Sequence, residues 1–448
     1  MVGMVGKERA LEIVERALKA SPADQTEVRL TGYQSRLTRY ANSVIHQNVS
    51  ETNARLSVKA FFGKKMGRAG TNKLDRDSIL RTVKQAVELA KLSPENSEFV
   101  SLPGPRPIEE IPCWFESSAS AGPEARAGNV LKVIYRAGKS GFEAAGAHST
   151  STNETAVGNS LGVRAYGAST STDLTCVVLS GAGSGFAQAS SRDLLDIDAG
   201  KVAEEAVSRC AMNKGQIALE PGEYAVVLEP YAVADLVSFL SGMGFSALSY
   251  QEGRSFLCGK LGTQIMSPLI TIWDDGLDPA GAPFPFDGEG QPKSKVVLVE
   301  NGVAKNIVYD SFAAFKEGKE QSTGHAGYYP GGSASDLFLS GTPGNTLARQ
   351  EPISGLERGI LVTRFHYVRT VHSQKTIITG MTRDGTFLVE DGKITGAIKN
   401  MRFTESILRA LSSTEAVGRE QRLIGTVRSV VAPSMRLGTF NFTGQAGH

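Results

Sequence analysis

Eleven of the 27 residues at positions 149–175 are serine or threonine, and whether that stretch is linker or sheet decides what the chain can fold into. Leu161, Val163 and Ala165 alternate with polar or small neighbours on one side of a turn, and Leu174, Cys176 and Val178 do so on the other. A period of two favours strands: successive side chains point to opposite faces, and β-branched residues pack well on a half-buried sheet. The same alternation recurs at 27–30 and 55–61, and beyond position 220 at 224–228, 295–299, 303–309, 359–367, 375–379, 386–390 and 393–399. Asn301-Gly302 and Asp391-Gly392 supply hairpin turns, because Asn, Asp and Gly tolerate the positive φ that such turns need.

Helical periodicity is confined to a few segments. Residues 7–20 align Leu11, Val14 and Leu18, and Asp75 caps a helix in which Ile79, Val83, Ala86 and Ala90 share a face. Further helices are expected at 123–137 and at 198–212, where Val202, Ala206 and Cys210 align. Pro230 opens another, with Val233, Leu236, Val237 and Leu240 as its buried stripe and Gly242 and Gly244 as its end. Leu102-Pro103-Gly104-Pro105-Arg106-Pro107, with Pro112 beyond, can continue neither helix nor central strand, and Pro221-Gly222 is a second break. The fold class is therefore α+β. An N-terminal α/β domain covers 1–112, a Ser/Thr-rich strand-containing middle region 113–220, and a large β-rich C-terminal domain 221–448.

A formal charge of +2, from 48 basic and 46 acidic residues, gives no electrostatic case for nucleic acid or an anionic membrane. No apolar stretch approaches the ~20 residues of a transmembrane helix, and the N-terminus lacks the apolar core of a signal peptide. Cys113, Cys176, Cys210 and Cys258 lie far apart, which favours reduced thiols and a cytoplasmic location.

Familiar catalytic patterns are missing. None of His46, His148, His325, His366, His372 and His448 is followed by glutamate, although His366 and His372 are spaced to converge on one sheet face. Gly253 to Leu261 has one residue too many for a P-loop and ends in leucine. Gly181-Ala182-Gly183-Ser184-Gly185 lacks the spacing of a dinucleotide turn, and no serine sits in a G-x-S-x-G elbow. The acidic runs Asp274-Asp275-Gly276-Leu277-Asp278 and Phe286-Asp287-Gly288-Glu289-Gly290 lack the register of a calcium loop and read as solvated turns.

Several stretches, in order, resemble the TldD/PmbA family over nearly the whole chain. Gly63-Lys64-Lys65-Met66-Gly67 and Thr71-Asn72 come first, then Asn159-Ser160-Leu161-Gly162. The C-terminal pieces are the most specific: Pro283-Phe284-Pro285-Phe286-Asp287-Gly288-Glu289-Gly290, Glu300-Asn301-Gly302 and Ser322-Thr323-Gly324-His325-Ala326-Gly327. The segments from Arg364-Phe365-His366-Tyr367 to Met401-Arg402-Phe403-Thr404 differ from the familiar PmbA pattern, so the chain resembles a divergent branch.

The resemblance implies a cytoplasmic peptidase system in which a zinc-bearing TldD-type subunit pairs with a PmbA (TldE)-type partner. The zinc subunit carries HExxxH and a later cysteine ligand. Here Ser238, Phe239 and Met243 occupy the positions of the two histidines and the glutamate, and no cysteine follows Cys258. What the resemblance implies is a non-catalytic PmbA/TldE-like subunit acting on unfolded peptides, with no cofactor of its own and zinc in the TldD-type partner. Ser322, Thr323, Gly324 and His325 are its candidate peptide-lining residues. One alternative is a homodimeric peptide- or ligand-binding protein without peptidase activity. Another is a stand-alone enzyme with a site around His325, His366 and His372.

Overall fold

The computed structural model describes residues 4–181, 183–327, 330–342, 346–347 and 351–446, so His448 lies outside the described residues. Strands β1 (Gln25–Ala41), β2 (Val44–Phe62), β3 (Lys65–Thr71), β4 (Glu143–Asn159), β5 (Arg164–Ser180) and β6 (Gly183–Ser191) form one antiparallel sheet. Its order is β3-β2-β1-β4-β5-β6, and β1 pairs with β4 from Glu27↔Asn159 to Tyr40↔Gly146. The N-terminal and middle segments thus share a single sheet.

The Ser/Thr-rich run is strand, but its expected boundaries are corrected. Leu161 is exposed in the turn between β4 and β5, and Thr150, Thr152, Thr170 and Thr172 are buried within the strands. The β1–β2 hairpin also extends well beyond the alternating residues, because ladder hydrogen bonds carry it through a polar, exposed tip. Its turn, Asn42 and Ser43, has φ of 50° and 58°, the doubly positive geometry that matches strand twist.

Helices α1 (Lys7–Ala20) and α2 (Arg76–Leu92) cover one half of this sheet. Helix α3 (Glu116–Ala119) is a single turn; α4 (Pro123–Lys139) and α5 (Ala199–Met212) cover the other half. Asp75 caps α2 by accepting the Ser78 N–H at 2.9 Å, and Ile79, Val83, Ala86 and Ala90 are buried against Val28, Leu30, Leu56 and Val58. Burying each of the larger aliphatic side chains contributes roughly 1.5–3 kcal/mol. In α1 the buried face is Ala10, Ile13, Val14 and Ala17, with Leu11 and Leu18 flanking it. The four long helices bury the apolar side chains of one face only, so the other face of the sheet is left for the rest of the chain.

The C-terminal part is a second sheet. Its strands are β7 (Gly222–Leu228), β8 (Ile270–Asp274), β9 (Val296–Glu300), β10 (Val303–Ala304), β11 (Asp336–Gly341) and β12 (Thr346–Leu347), then β13 (Arg358–His372), β14 (Ile377–Glu390), β15 (Lys393–Ala397), β16 (Met401–Ser406), β17 (Thr414–Ile424) and β18 (Ser429–Gln445). β7 pairs with both β13 and β18, β18 with β16, β16 with β14, and β14 with β13. These five strands therefore close into a ring.

Helix α6 (Pro230–Gly244) follows β7 into the main core and, as expected, ends in the Gly242–Gly244 turn, at Gly244. Short helices α7 (Ala247–Gln251) and α8 (Ser311–Lys316) border the cavities described below. The segments expected as separate strands at 375–379 and 386–390 are one strand, β14, bent at Asp384 and Gly385, whose φ values are 55° and 135°. The strand expected at 303–309 shortens to Val303–Ala304, while Asn301 and Gly302 (φ 48° and 76°) make the expected turn.

Candidate functional site

Alternation along β1 and β2 builds one wall. Val28, Leu30, Val58 and Ala60 face the helices, so Glu27, Arg29, Ser57, Lys59 and Phe61 face the other way. On β4 and β5 the same parity brings Asn153, Thr155 and Ser169 to that wall. The opposite wall comes from the C-terminal part. Between the walls lie cavities of about 420 Å³ and about 880 Å³, which share Arg29, Gly288, Ala326, Gly327 and Pro330 and so adjoin.

The stretch Pro283-Phe284-Pro285-Phe286-Asp287-Gly288-Glu289-Gly290 docks the two parts together. Phe284 and Phe286 fill the space over Gly167, where a β-carbon would stand 2.7 Å from Phe284 Cζ. A β-carbon on Gly290 (φ 73°) would come within 2.7 Å of Val163 Cγ1. Asp287 is buried, against the expectation of a solvated turn. One of its oxygens accepts the Glu289 and Gln291 N–H groups at 2.9 and 3.0 Å, and the other accepts Ala326 N–H at 2.8 Å. Three amides in place of water explain why a carboxylate can sit there. Burial still raises its pKa above the ordinary range, with the amides opposing.

Asp274, in the other acidic run, is also buried rather than solvated. Its Oδ1 lies 2.8 Å from His325 Nε2, and its Oδ2 accepts the Asp336 N–H at 2.9 Å. Burial pushes the Asp274 carboxyl up, but the charges of His325 and Lys293 and the hydrogen bonds outweigh it and hold the group below its usual range. Lys293 Nζ is paired with Asp336, and the nearby carboxylates keep it charged against the pull of burial. Glu289, half-buried at the smaller cavity, accepts the Ser311 N–H at 3.0 Å. Burial, then the charges of Asp287, Glu27 and Asp310, push it up to about 8. Glu27 pairs with Lys59 at 2.8 Å.

Of the loop Ser322, Thr323, Gly324 and His325, it is His325 that borders the larger cavity. The others shape the turn behind it. His325 Nδ1 lies 2.8 Å from the Thr323 carbonyl oxygen and 2.9 Å from its hydroxyl, which aims Nε2 at Asp274. Gly324 has φ of 74°, and a β-carbon there would stand 2.1 Å from the Pro292 oxygen.

His325, His366 and His372 are not brought together. His366 is flanked by Arg364 and Arg383, with burial and those charges lowering its pKa, while exposed His372 accepts the Lys375 N–H at 3.4 Å. His366 pairs with Met381 and His372 with Ile377, four residues and about 13 Å apart along β14, so the two rings do not converge. In the window on α6, Ser238 borders the larger cavity, Phe239 packs on the main core and Met243 is buried within it. Among the described residues no three His, Cys, Asp or Glu side chains group as a metal site.

The model of the PmbA/TldA metallopeptidase C-terminal domain matches residues 221–444, and the models of domain 1 and the central domain match 26–90 and 121–213. The chain belongs to the PmbA/TldD metallopeptidase family. TldE from Thermococcus kodakarensis has the same fold, with a TM-score of 0.85 at 23% identity over 97% of this chain and 99% of that one. An uncharacterised protein of Methanocaldococcus jannaschii is 51% identical over 102 residues, 22% of this chain and 24% of its own length. A metalloprotease of Methanothermobacter thermautotrophicus is 30% identical over 206 residues, 45% of this chain and 44% of its own. These matches span less than half of either curated relative. No helix among the described residues is long and apolar enough to cross a membrane.

Arg29, Asp274, Asp287, Glu289 and Lys293 are the site residues that sequence reasoning missed. Asp287 and Glu289 stood inside a quoted motif, but nothing in the linear pattern says that both are enclosed by a distant sheet.

Proposed function

We propose that this chain is a non-catalytic, PmbA/TldE-like subunit that walls a peptide channel, while a TldD-type partner supplies the zinc. The observation that carries this reading is the α6 window beside the larger cavity. Ser238 reaches the cavity but is a poor zinc ligand, Phe239 offers no carboxylate to activate water, and the Met243 thioether is in the core. The residues present do not fit zinc. The cavity nevertheless persists, lined by sheet on one side and on the other by serine hydroxyls together with Arg254, Lys293, His325 and Arg428. An unfolded peptide fits such a slot as an extended strand held through backbone hydrogen bonds. A cytoplasmic setting suits four free cysteines, three of them buried.

Co-expression with a related chain carrying HExxxH tests the assignment. The pair is expected to copurify and to cleave unstructured peptides faster than the zinc chain alone. Failure on both counts overturns it; peptide binding by this chain alone as a homodimer then favours a binding protein.

A further inference from the structure

Arg29 stands where the cavities meet, and among the described residues its charge has no direct partner. Its Nε is buried without an acceptor. Of the carboxylates whose charge it feels, Glu27 pairs through Oε1 with Lys59 at 2.8 Å and keeps Oε2 unbonded, and Asp287 is held by three backbone amides. They act on Arg29 through charge alone. Leaving guanidinium donors unmatched in a half-enclosed site costs free energy that an incoming acceptor recovers.

The surroundings say what that acceptor is. Gly288 is the turn residue beside the guanidinium; a β-carbon there would stand 2.8 Å from Arg29 Nη1 and 2.9 Å from the Ala326 oxygen. The larger cavity is also bordered by Arg428, by Arg254 and Lys293, which are paired with Glu252 and Asp336, and by Arg192, whose Nη atoms donate to the Thr170, Ala282 and Pro283 carbonyls. Asp287 is the carboxylate that borders this cavity. The smaller cavity beyond Arg29 is of mixed charge, bordered by Glu27, Glu289 and Asp310 and by Lys59, Lys64 and Arg68. An anionic group entering the larger cavity therefore meets a cationic lining, in which Arg29 is the guanidinium with no bonded acceptor among the described residues.

We propose that Arg29 is an oxyanion clamp that seats the C-terminal carboxylate of a bound peptide at the junction, with the rest of the peptide in the larger cavity. The planar fork of arginine suits paired N–H bonds to a carboxylate. This rests on the peptide-channel reading given above, and it adds an end-group preference and a direction to it.

The test is calorimetric titration of the full chain with an unstructured Ala/Ser heptapeptide, its C-terminal amide, the amide carrying one internal glutamate, and inorganic phosphate. The free acid is expected to bind wild type at least about tenfold more tightly than the amide. That preference should vanish in Arg29→Gln and survive in part in Arg29→Lys, with both variants melting like wild type. If the glutamate-bearing amide matches the free acid, Arg29 takes any carboxylate and the end-group preference is overturned. Equal binding of acid and amide to wild type, or a preference retained in Arg29→Gln, overturns the clamp while leaving the channel. Arg29-dependent phosphate binding without peptide binding keeps the clamp and removes the peptide reading. No binding by any probe removes both.

Discussion

His325 Nε2 lies 2.8 Å from Asp274 Oδ1, with both side chains buried, and the opposite ring nitrogen is held by Thr323. The pair joins the end of β8 to the loop that borders the larger cavity. Replacing Asp274 with asparagine should cost about 3–5 kcal/mol in chemical denaturation, since one partner of a buried pair is lost. The pH dependence has a defined sign. The folded carboxyl of Asp274 lies below its ordinary value, so its contribution is present above the unfolded carboxylate range and is lost as pH falls through the folded value. Asp274→Asn should therefore flatten the acid limb of the stability profile.

Glu289 predicts the opposite slope. Its folded value of about 8 means that the folded state holds a proton the unfolded state releases near pH 4–5, so stability drains away as pH rises from there to about 8. Glu289→Gln should raise the melting temperature at pH 8 by several degrees, leave it little changed at pH 4, and flatten the profile between. Equal gains at both pH values would sink this account.

Lys293 is enclosed with Asp336 and Asp274 nearby. Lys293→Met should destabilise the fold by about 3–5 kcal/mol, because Asp336 is left buried without its cation. The double variant Lys293→Met/Asp336→Leu should recover much of that loss, measured by urea denaturation.

At Gly324, alanine meets both an unfavourable φ of 74° and the Pro292 oxygen 2.1 Å from its β-carbon. A loss on the order of 2–4 kcal/mol follows from strain and overpacking together. Hydrogen exchange should rise at Ala326, the amide that this turn presents to Asp287.

Grafting Ser238→His, Phe239→Glu and Met243→His together should not create a stoichiometric zinc site by elemental analysis. Position 243 lies in the main core and position 239 packs against it, so the new groups do not converge on the cavity.

The α+β class, the capped helix at Asp75, the Asn301-Gly302 and Asp391-Gly392 turns and the family resemblance were legible in the linear chain, because each depends on neighbours within a turn or two. Strand lengths were not, since the ladder between β1, β2 and β4 carries polar residues that no hydrophobic period marks. Nor was the burial of Asp274 and Asp287, or the partial enclosure of Glu289. An acidic, glycine-rich run reads as a solvated turn until amides, His325 and the opposing sheet replace the water. Local chemistry decided which elements form. The tertiary structure alone decided that β1 aims Arg29 into the space between distant segments, because enclosure and charge are sums over residues that the sequence keeps hundreds of positions apart.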